Sequence, residues 1–216
     1  MQTSLSNDRR VQILIGLSLA IGIASLPLGP WGERLRVLGP LLGHEVLWWL
    51  AVATLLLYVL RVERLPLSSI GLRRLGLWDI VLAILAGVVM VTATAMISAV
   101  FPRFHLQINV QQLNRWLAAP FWYRFILVIR AAVAEEILLR AYPFERLEEL
   151  TSSRFLAAII SWIAFTIVHL RTWGWAYLMI VGFYGVILTL LYLWRRNLCS
   201  NILAHWILDA AVYLLP

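Results

Sequence analysis

Long apolar runs broken by short polar segments set the organisation of this chain. A membrane crossing needs about 18 apolar residues or more, and that template predicts helices near 11–28, 38–60, 77–101, 121–142, 154–170, 174–194 and 199–215. The fold expected is therefore all-α, a polytopic membrane helix bundle of about seven transmembrane helices, with six or eight crossings as neighbouring counts. The first run has no small-residue cleavage site of the A-x-A type and further spans follow it, so it reads as a retained helix, not a removed signal peptide. No repeat, glycine-rich phosphate loop or low-complexity tract divides the chain, and residues 1–216 are read as one membrane domain with a core over about 121–210.

Composition supports this reading. The 216 residues are 62% hydrophobic and 13% charged, against the roughly 25% charged of soluble domains, and the mean hydropathy is +0.85. A net charge of +7 would suggest nucleic acid in a soluble protein. Here the arginines fall mainly between apolar runs, where they orient helices and meet anionic lipid, and no nucleic-acid partner is expected. Arginines at the N-terminus, in 61–76, in 143–153 and at Arg195–Arg196 would share one side of the membrane. By the positive-inside rule that side and the N-terminus are cytoplasmic, and with seven spans the C-terminus lies outside. Trp31, Trp48, Trp78, Trp122, Trp173, Trp175 and Trp194 sit toward span ends as belt residues. The 102–120 segment, including His105, Gln107 and Asn109, reads as a lid, a surface helix or a connector, and 144–153 as a short amphipathic helix. Cys199 is the only cysteine, which leaves no internal disulfide and no cysteine cluster for zinc.

The chemistry is concentrated where polar residues interrupt the apolar runs. Within the fourth span, Ala134–Arg140 reads Ala-Glu-Glu-Ile-Leu-Leu-Arg, and each central charge costs about 2.5–3.5 kcal/mol on insertion scales. Residues four apart share a helix face, so Glu136 and Arg140 pair, and Glu135, about 100° away, must meet water or another helix. In later spans Phe165 and His169 share a face, and Asn201, His205 and Asp209 form a stripe at successive i,i+4 steps. If these spans pack together, Glu135, Glu136, Arg140, His169, His205 and Asp209 converge, with Phe165 and Asn201 as candidate substrate contacts. Taken singly, each has a structural reading: His169 as a helix-to-helix hydrogen bond, Glu136–Arg140 as an ion pair, His205–Asp209 as a fixed imidazole. His44 and Glu45 read as a second polar contact, or as interfacial if the second span starts later, and are left outside the candidate site.

The ordered set Glu135-Glu136-x-x-x-Arg140, Phe165-x-x-x-His169 and His205-x-x-x-Asp209 resembles the motifs of the CPBP family, the CAAX proteases and bacteriocin-processing enzymes also called Abi. Leu67–Arg73 resembles the stretch that precedes a helix in that family. The resemblance implies an intramembrane endopeptidase related to the type II CAAX prenyl endopeptidases, with Glu135 activating a water, His169 holding it, His205 and Asp209 on the oxyanion side, and Glu136 and Arg140 bracing. Eukaryotic members typically carry Asn where this chain has Asp209. A carboxylate cannot donate to an oxyanion, so either Asp209 is protonated or it orients His205, the role favoured. A metal-free glutamate mechanism is favoured; zinc on Glu135, His169 and His205 is the alternative. The substrate expected is a peptide or protein tail or leader near the bilayer, lipidated or belonging to an exported protein. All 18 basic residues are arginine, a bias pointing to a prokaryotic cytoplasmic membrane. A proton-coupled transporter and a non-catalytic scaffold are the rival classes.

Overall fold

The computed structural model describes residues 5–26, 39–106 and 109–215. Trp31 and Gln107 lie outside them. Every regular element among the described residues is helical, as the periodicity predicts. Helix α1 spans Asn7–Ala24, α2 Gly39–Arg61, α3 Leu77–Val100, α4 Val110–Leu117 and α5 Phe121–Glu135. A π-helical turn, Glu136–Ala141, joins α5 to α6, Tyr142–Thr151. Then come α7 (Arg154–Val168), the one-turn α8 (Leu170–Trp173), α9 (Tyr177–Arg195) and α10 (Leu198–Tyr213).

Side-chain caps fix several starts. Ser6 Oγ accepts from the Arg9 amide, Ser153 Oγ from Leu156, and Asn197 Oδ1 from Cys199, each satisfying an amide that the first helical turn leaves unbonded. Between α2 and α3, Leu67–Ile70 forms a 3₁₀ turn that ends at Gly71, whose φ of +74° is strained for any residue with a Cβ. Gly71 then accepts a 2.7 Å bond from the Leu198 amide, tying this turn to the start of α10.

Among the described residues four stretches are long and apolar enough to cross a membrane: Leu42–Arg61, Leu77–Phe104, Arg154–Trp173 and Tyr177–Arg195. Helix α10 is apolar but shorter. Helix α1 starts with Asp8, Arg9 and Arg10, and the α5–α6 run carries the charges of the candidate site. Both pack within the same bundle, α1 against α2, α6 and the π turn, and α5 against α2 and α10. Half of the most apolar stretch of α9 is buried, against 17% for that of α3. Helix α9 is central, and α3 turns outward an apolar face that includes Ile84, Leu85, Val88 and Val89, as a lipid-facing helix does.

The bundle is pinned at one end by ion pairs. Glu63 accepts from Arg146 at 2.7 Å, lies 3.3 Å from Arg9 and accepts from the Tyr142 hydroxyl at 3.0 Å. Arg9 also binds Glu149 at 2.7 Å, and Arg195 binds Asp79 at 2.7 Å. Arg196 pairs with Glu145 and Glu148. The N-terminus, the 61–76 loop, α6 and the α9–α10 turn thus meet at one end, the grouping expected from the arginine pattern. Helix α6 covers most of the segment read as a short amphipathic helix, and it buries Tyr142, Pro143, Phe144, Arg146 and Leu147. Of the expected belt, Trp78, Trp122, Trp175 and Trp194 are more than half exposed, whereas Trp173 is buried.

Candidate active site

The site begins with the π turn. In an α-helix the Leu139 carbonyl would accept from residue 143, but Pro143 has no N–H. The turn widens, with the Tyr142 amide bonding the Ile137 carbonyl, and the Ser161 hydroxyl of α7 supplies the missing donor to Leu139 at 2.8 Å. Such single π turns recur at functional sites, and this one carries Glu136 and Arg140 and directly follows Glu135.

The two adjacent glutamates have different surroundings. Glu136 is fully buried and saturated: it accepts from Arg140 Nε at 2.6 Å, Asn201 Nδ2 at 3.1 Å and His205 Nδ1 at 3.0 Å. Arg140 is also fully buried, donates to Thr189 Oγ1 at 2.5 Å and to the Gly185 carbonyl at 3.3 Å, and lies 4.5 Å from the Phe165 ring centroid. That cation–π contact suits a guanidinium whose Nη2 has no hydrogen-bond partner among the described residues. Glu135 instead keeps 16% of its side chain accessible and lines a cavity of about 710 Å³.

Two imidazoles face Glu135 across this cavity. His169 Nδ1 is 2.7 Å from the Phe165 carbonyl, an acceptor, so Nδ1 carries a hydrogen and Nε2 points to Glu135 Oε2 at 3.4 Å. A neutral Nε2 and a carboxylate oxygen both accept, so a shared proton or a water must mediate between them. His205 Nδ1 binds Glu136, leaving its Nε2 4.0 Å from Glu135 Oε2 and 3.7 Å from Asp209 Oδ2. Glu136, from another helix, orients the His205 ring; Asp209, expected in that role, stands at the opposite nitrogen and lines the cavity.

Glu135, Glu136, Arg140, His169, His205 and Asp209 are thus brought together. Phe165 and Asn201, expected to touch substrate, are instead fully buried behind the site. Phe165 packs against His169 and His205, with ring centroids 5.0 and 6.1 Å apart, and Asn201 joins Glu136 to the Leu188 carbonyl. Neither lines the cavity.

A second polar group, built on His44 and Glu45 with Arg130 as a partner not singled out from the sequence, borders the same cavity. Buried Arg130 pairs with Glu45 at 3.2 Å, Glu45 accepts from the Tyr123 hydroxyl at 3.3 Å, and Trp48 Nε1 donates to His44 Nε2 at 3.1 Å. Arg130 could have been found, because it is a further ionisable residue inside the span that holds the glutamate pair.

Among the described residues no three His, Cys, Asp or Glu side chains converge closely enough to hold a metal ion. Glu135, His169 and His205 nevertheless have the donor chemistry that zinc accepts.

An all-helical integral membrane protein with a carboxylate–imidazole centre in a cavity is the class these features define. Residues 116–211 match the family model described as Rce1-like: Type II CAAX prenyl endopeptidase Rce1-like. That region holds the three motif helices and is similar to the CAAX protease family, and the similarity supports an intramembrane endopeptidase at family level. No curated protein and no solved structure matches the chain.

Proposed function

We propose that this protein hydrolyses a peptide bond near the membrane, in the C-terminal or leader segment of a peptide or protein, with a water activated by Glu135. The observation that carries this reading is the facing pair of Glu135 Oε2 and His169 Nε2, with His169 Nδ1 engaged by the Phe165 carbonyl. A water held in the cavity beside that contact donates to both acceptors. When its oxygen attacks the scissile carbonyl, Glu135 takes the proton. The carbonyl oxygen gains the negative charge within reach of His205 Nε2, which donates to it when the ring is doubly protonated, with Nδ1–H on Glu136 and Asp209 beside Nε2 balancing the imidazolium. The tetrahedral intermediate then expels the amine, which takes its proton from Glu135, leaving a carboxylic acid and a free amine. Aromatic walls that include Trp48, Tyr123, Trp173, Tyr177 and Tyr213 suit an extended peptide with apolar side chains.

The test is cleavage of a membrane-peptide library by purified protein in proteoliposomes. Removing a general base lowers rate by roughly 10²–10⁴-fold, so Glu135→Gln and His169→Ala are both expected to lose cleavage. Full activity in Glu135→Gln would overturn the assignment, and solute flux without cleavage would favour a transporter.

A further inference from the structure

A peptide carbonyl that becomes an oxyanion needs hydrogen-bond donors aimed at it, and the groups around Glu135 are short of them. Glu135 Oε2 and Asp209 Oδ2 only accept when ionised. His169 spends its Nδ1 hydrogen on the Phe165 carbonyl, and His205 Nδ1 is held by Glu136. His205 Nε2 therefore donates only when its ring carries two protons. Tyrosine hydroxyls stay protonated up to about pH 10, and four of them line the cavity. Tyr123 is already committed to Glu45 at 3.3 Å. Tyr177, Tyr184 and Tyr213 stand around Asp209 and Glu135.

Depth separates these three. Tyr177 and Tyr184 are seven residues apart on α9, about 10 Å at the helical rise, and Tyr213 is eight residues from His205 on α10, about 12 Å. Tyr177 stacks on Trp173 with ring centroids 4.8 Å apart. Tyr184 is the one level with the imidazoles: its ring centroid is 6.3 Å from that of His205 and 6.0 Å from that of Phe165, which packs under His169. Its ring is buried, yet the residue lines the cavity and its hydroxyl neighbours Asp209 and Glu135.

The backbone that carries Tyr184 is fixed on both sides. Trp162 Nε1 of α7 donates to the Gly182 carbonyl at 2.9 Å, and Arg140 and Thr189 donate to the Gly185 carbonyl at 3.3 and 2.7 Å. A Cβ at Gly185 would stand 3.1 Å from Trp162 and 3.2 Å from Phe165, so α9 lies tight against α7 at this turn. Arg140 thus holds the turn of Tyr184 as well as Glu136, the carboxylate that orients His205. Such preorganisation makes an oxyanion donor effective, because no group has to reorient as charge develops.

We propose that the Tyr184 hydroxyl donates to the oxyanion alongside His205 Nε2. This rests on the peptidase reading and adds a catalytic residue to it. When water attacks, the carbonyl π pair moves onto oxygen, and Tyr184 donates a hydrogen bond to that oxygen while keeping its proton. When the amine leaves, the pair returns to re-form the carbonyl and the phenol is unchanged. Glu135 carries the proton from water to amine throughout. A neutral donor keeps the site competent in either protonation state of His205.

The test compares the wild-type protein with Tyr184→Phe, which keeps the ring and removes only the hydroxyl, in proteoliposomes. On a cleaved member of the peptide library kcat is expected to fall about 10²–10³-fold, with KM within about threefold of wild type. A packing role predicts no such split, since Phe fills the same space. A second measurement needs no turnover. The same peptide with a phosphinate in place of the scissile amide, a stable tetrahedral anion, should bind Tyr184→Phe more weakly by the factor that kcat loses. The unmodified peptide should bind Glu135→Gln and Glu135→Gln/Tyr184→Phe equally. Wild-type kcat in Tyr184→Phe, or equal affinity for the phosphinate, overturns the assignment and leaves the peptidase reading standing. A raised KM with unchanged kcat makes Tyr184 a substrate contact and also overturns it. Absence of cleavage by the wild-type protein overturns the peptidase reading and this role with it.

Discussion

Neighbouring glutamates with the same side chain are expected to fail in opposite ways when each is made Gln. Glu136 receives three donors, from Arg140, Asn201 and His205, and both it and Arg140 have no accessible side-chain surface. An amide offers one accepting oxygen, so Glu136→Gln turns an NH₂ toward a donor and leaves Arg140 without its counter-charge. Breaking a buried ion pair from one side costs about 3–5 kcal/mol. At roughly 2–4 °C per kcal/mol for a chain of this size, the unfolding midpoint should fall by roughly 6–20 °C. Glu135 has only two long contacts, at 3.4 Å to His169 and 4.0 Å to His205, and faces the cavity. Its replacement should change stability by less than about 1 kcal/mol and lower cleavage by about 10²–10⁴-fold. The assay pairs thermal unfolding in nanodiscs with peptide cleavage well below the lower midpoint. In a cycle with Arg140→Met, the double variant should be less destabilised than the sum of the singles by about 1–3 kcal/mol, because both charges leave together. Equal midpoints for the two Gln variants, or a larger drop for Glu135→Gln, would refute the division between a bracing and a reacting carboxylate.

Three further outcomes are open to direct measurement. Ser161→Ala should cost about 1–3 kcal/mol by leaving the Leu139 carbonyl unbonded; adding Pro143→Ala should restore part of the midpoint but not cleavage, since the new amide favours an α turn that shifts Glu135 and Glu136. A Cβ at Gly16 would stand 1.6 Å from Tyr142 Oη, so Gly16→Ala should displace Tyr142 from Glu63 and cost about 1–3 kcal/mol, with a smaller added loss in a Tyr142→Phe background. Cleavage by purified protein should survive chelators; near-stoichiometric zinc by elemental mass spectrometry, with activity lost on chelation, would overturn the glutamate-activated water.

Helix positions and the three motif helices were legible in the sequence because both follow from spacing along one chain. The apolar runs ending near Arg61 and Val100 reappear with ends shifted by a residue or so, and Glu136–Arg140 pairs as its i,i+4 spacing requires. Spacing on one helix cannot say what lies across from it. Asp209, four residues after His205, is the natural in-helix partner, yet Glu136 on another helix holds the ring at 3.0 Å. Phe165 shares the His169 face as expected, but that face fills the space between helices, and depth separates a packing aromatic from a cavity wall. The π turn was readable in part, from a proline three residues after Arg140. The second cluster shows what a single-helix reading omits: Arg130 and Glu45, each costly alone in an apolar span, are intelligible only as partners between α5 and α2. The same argument explains why Glu135 stands apart. Desolvation drives Glu136, Arg140, Arg130 and Glu45 into reciprocal pairs, and a partly accessible carboxylate left with two long contacts and an open cavity has its remaining acceptor capacity free for water, as the proposed hydrolysis requires.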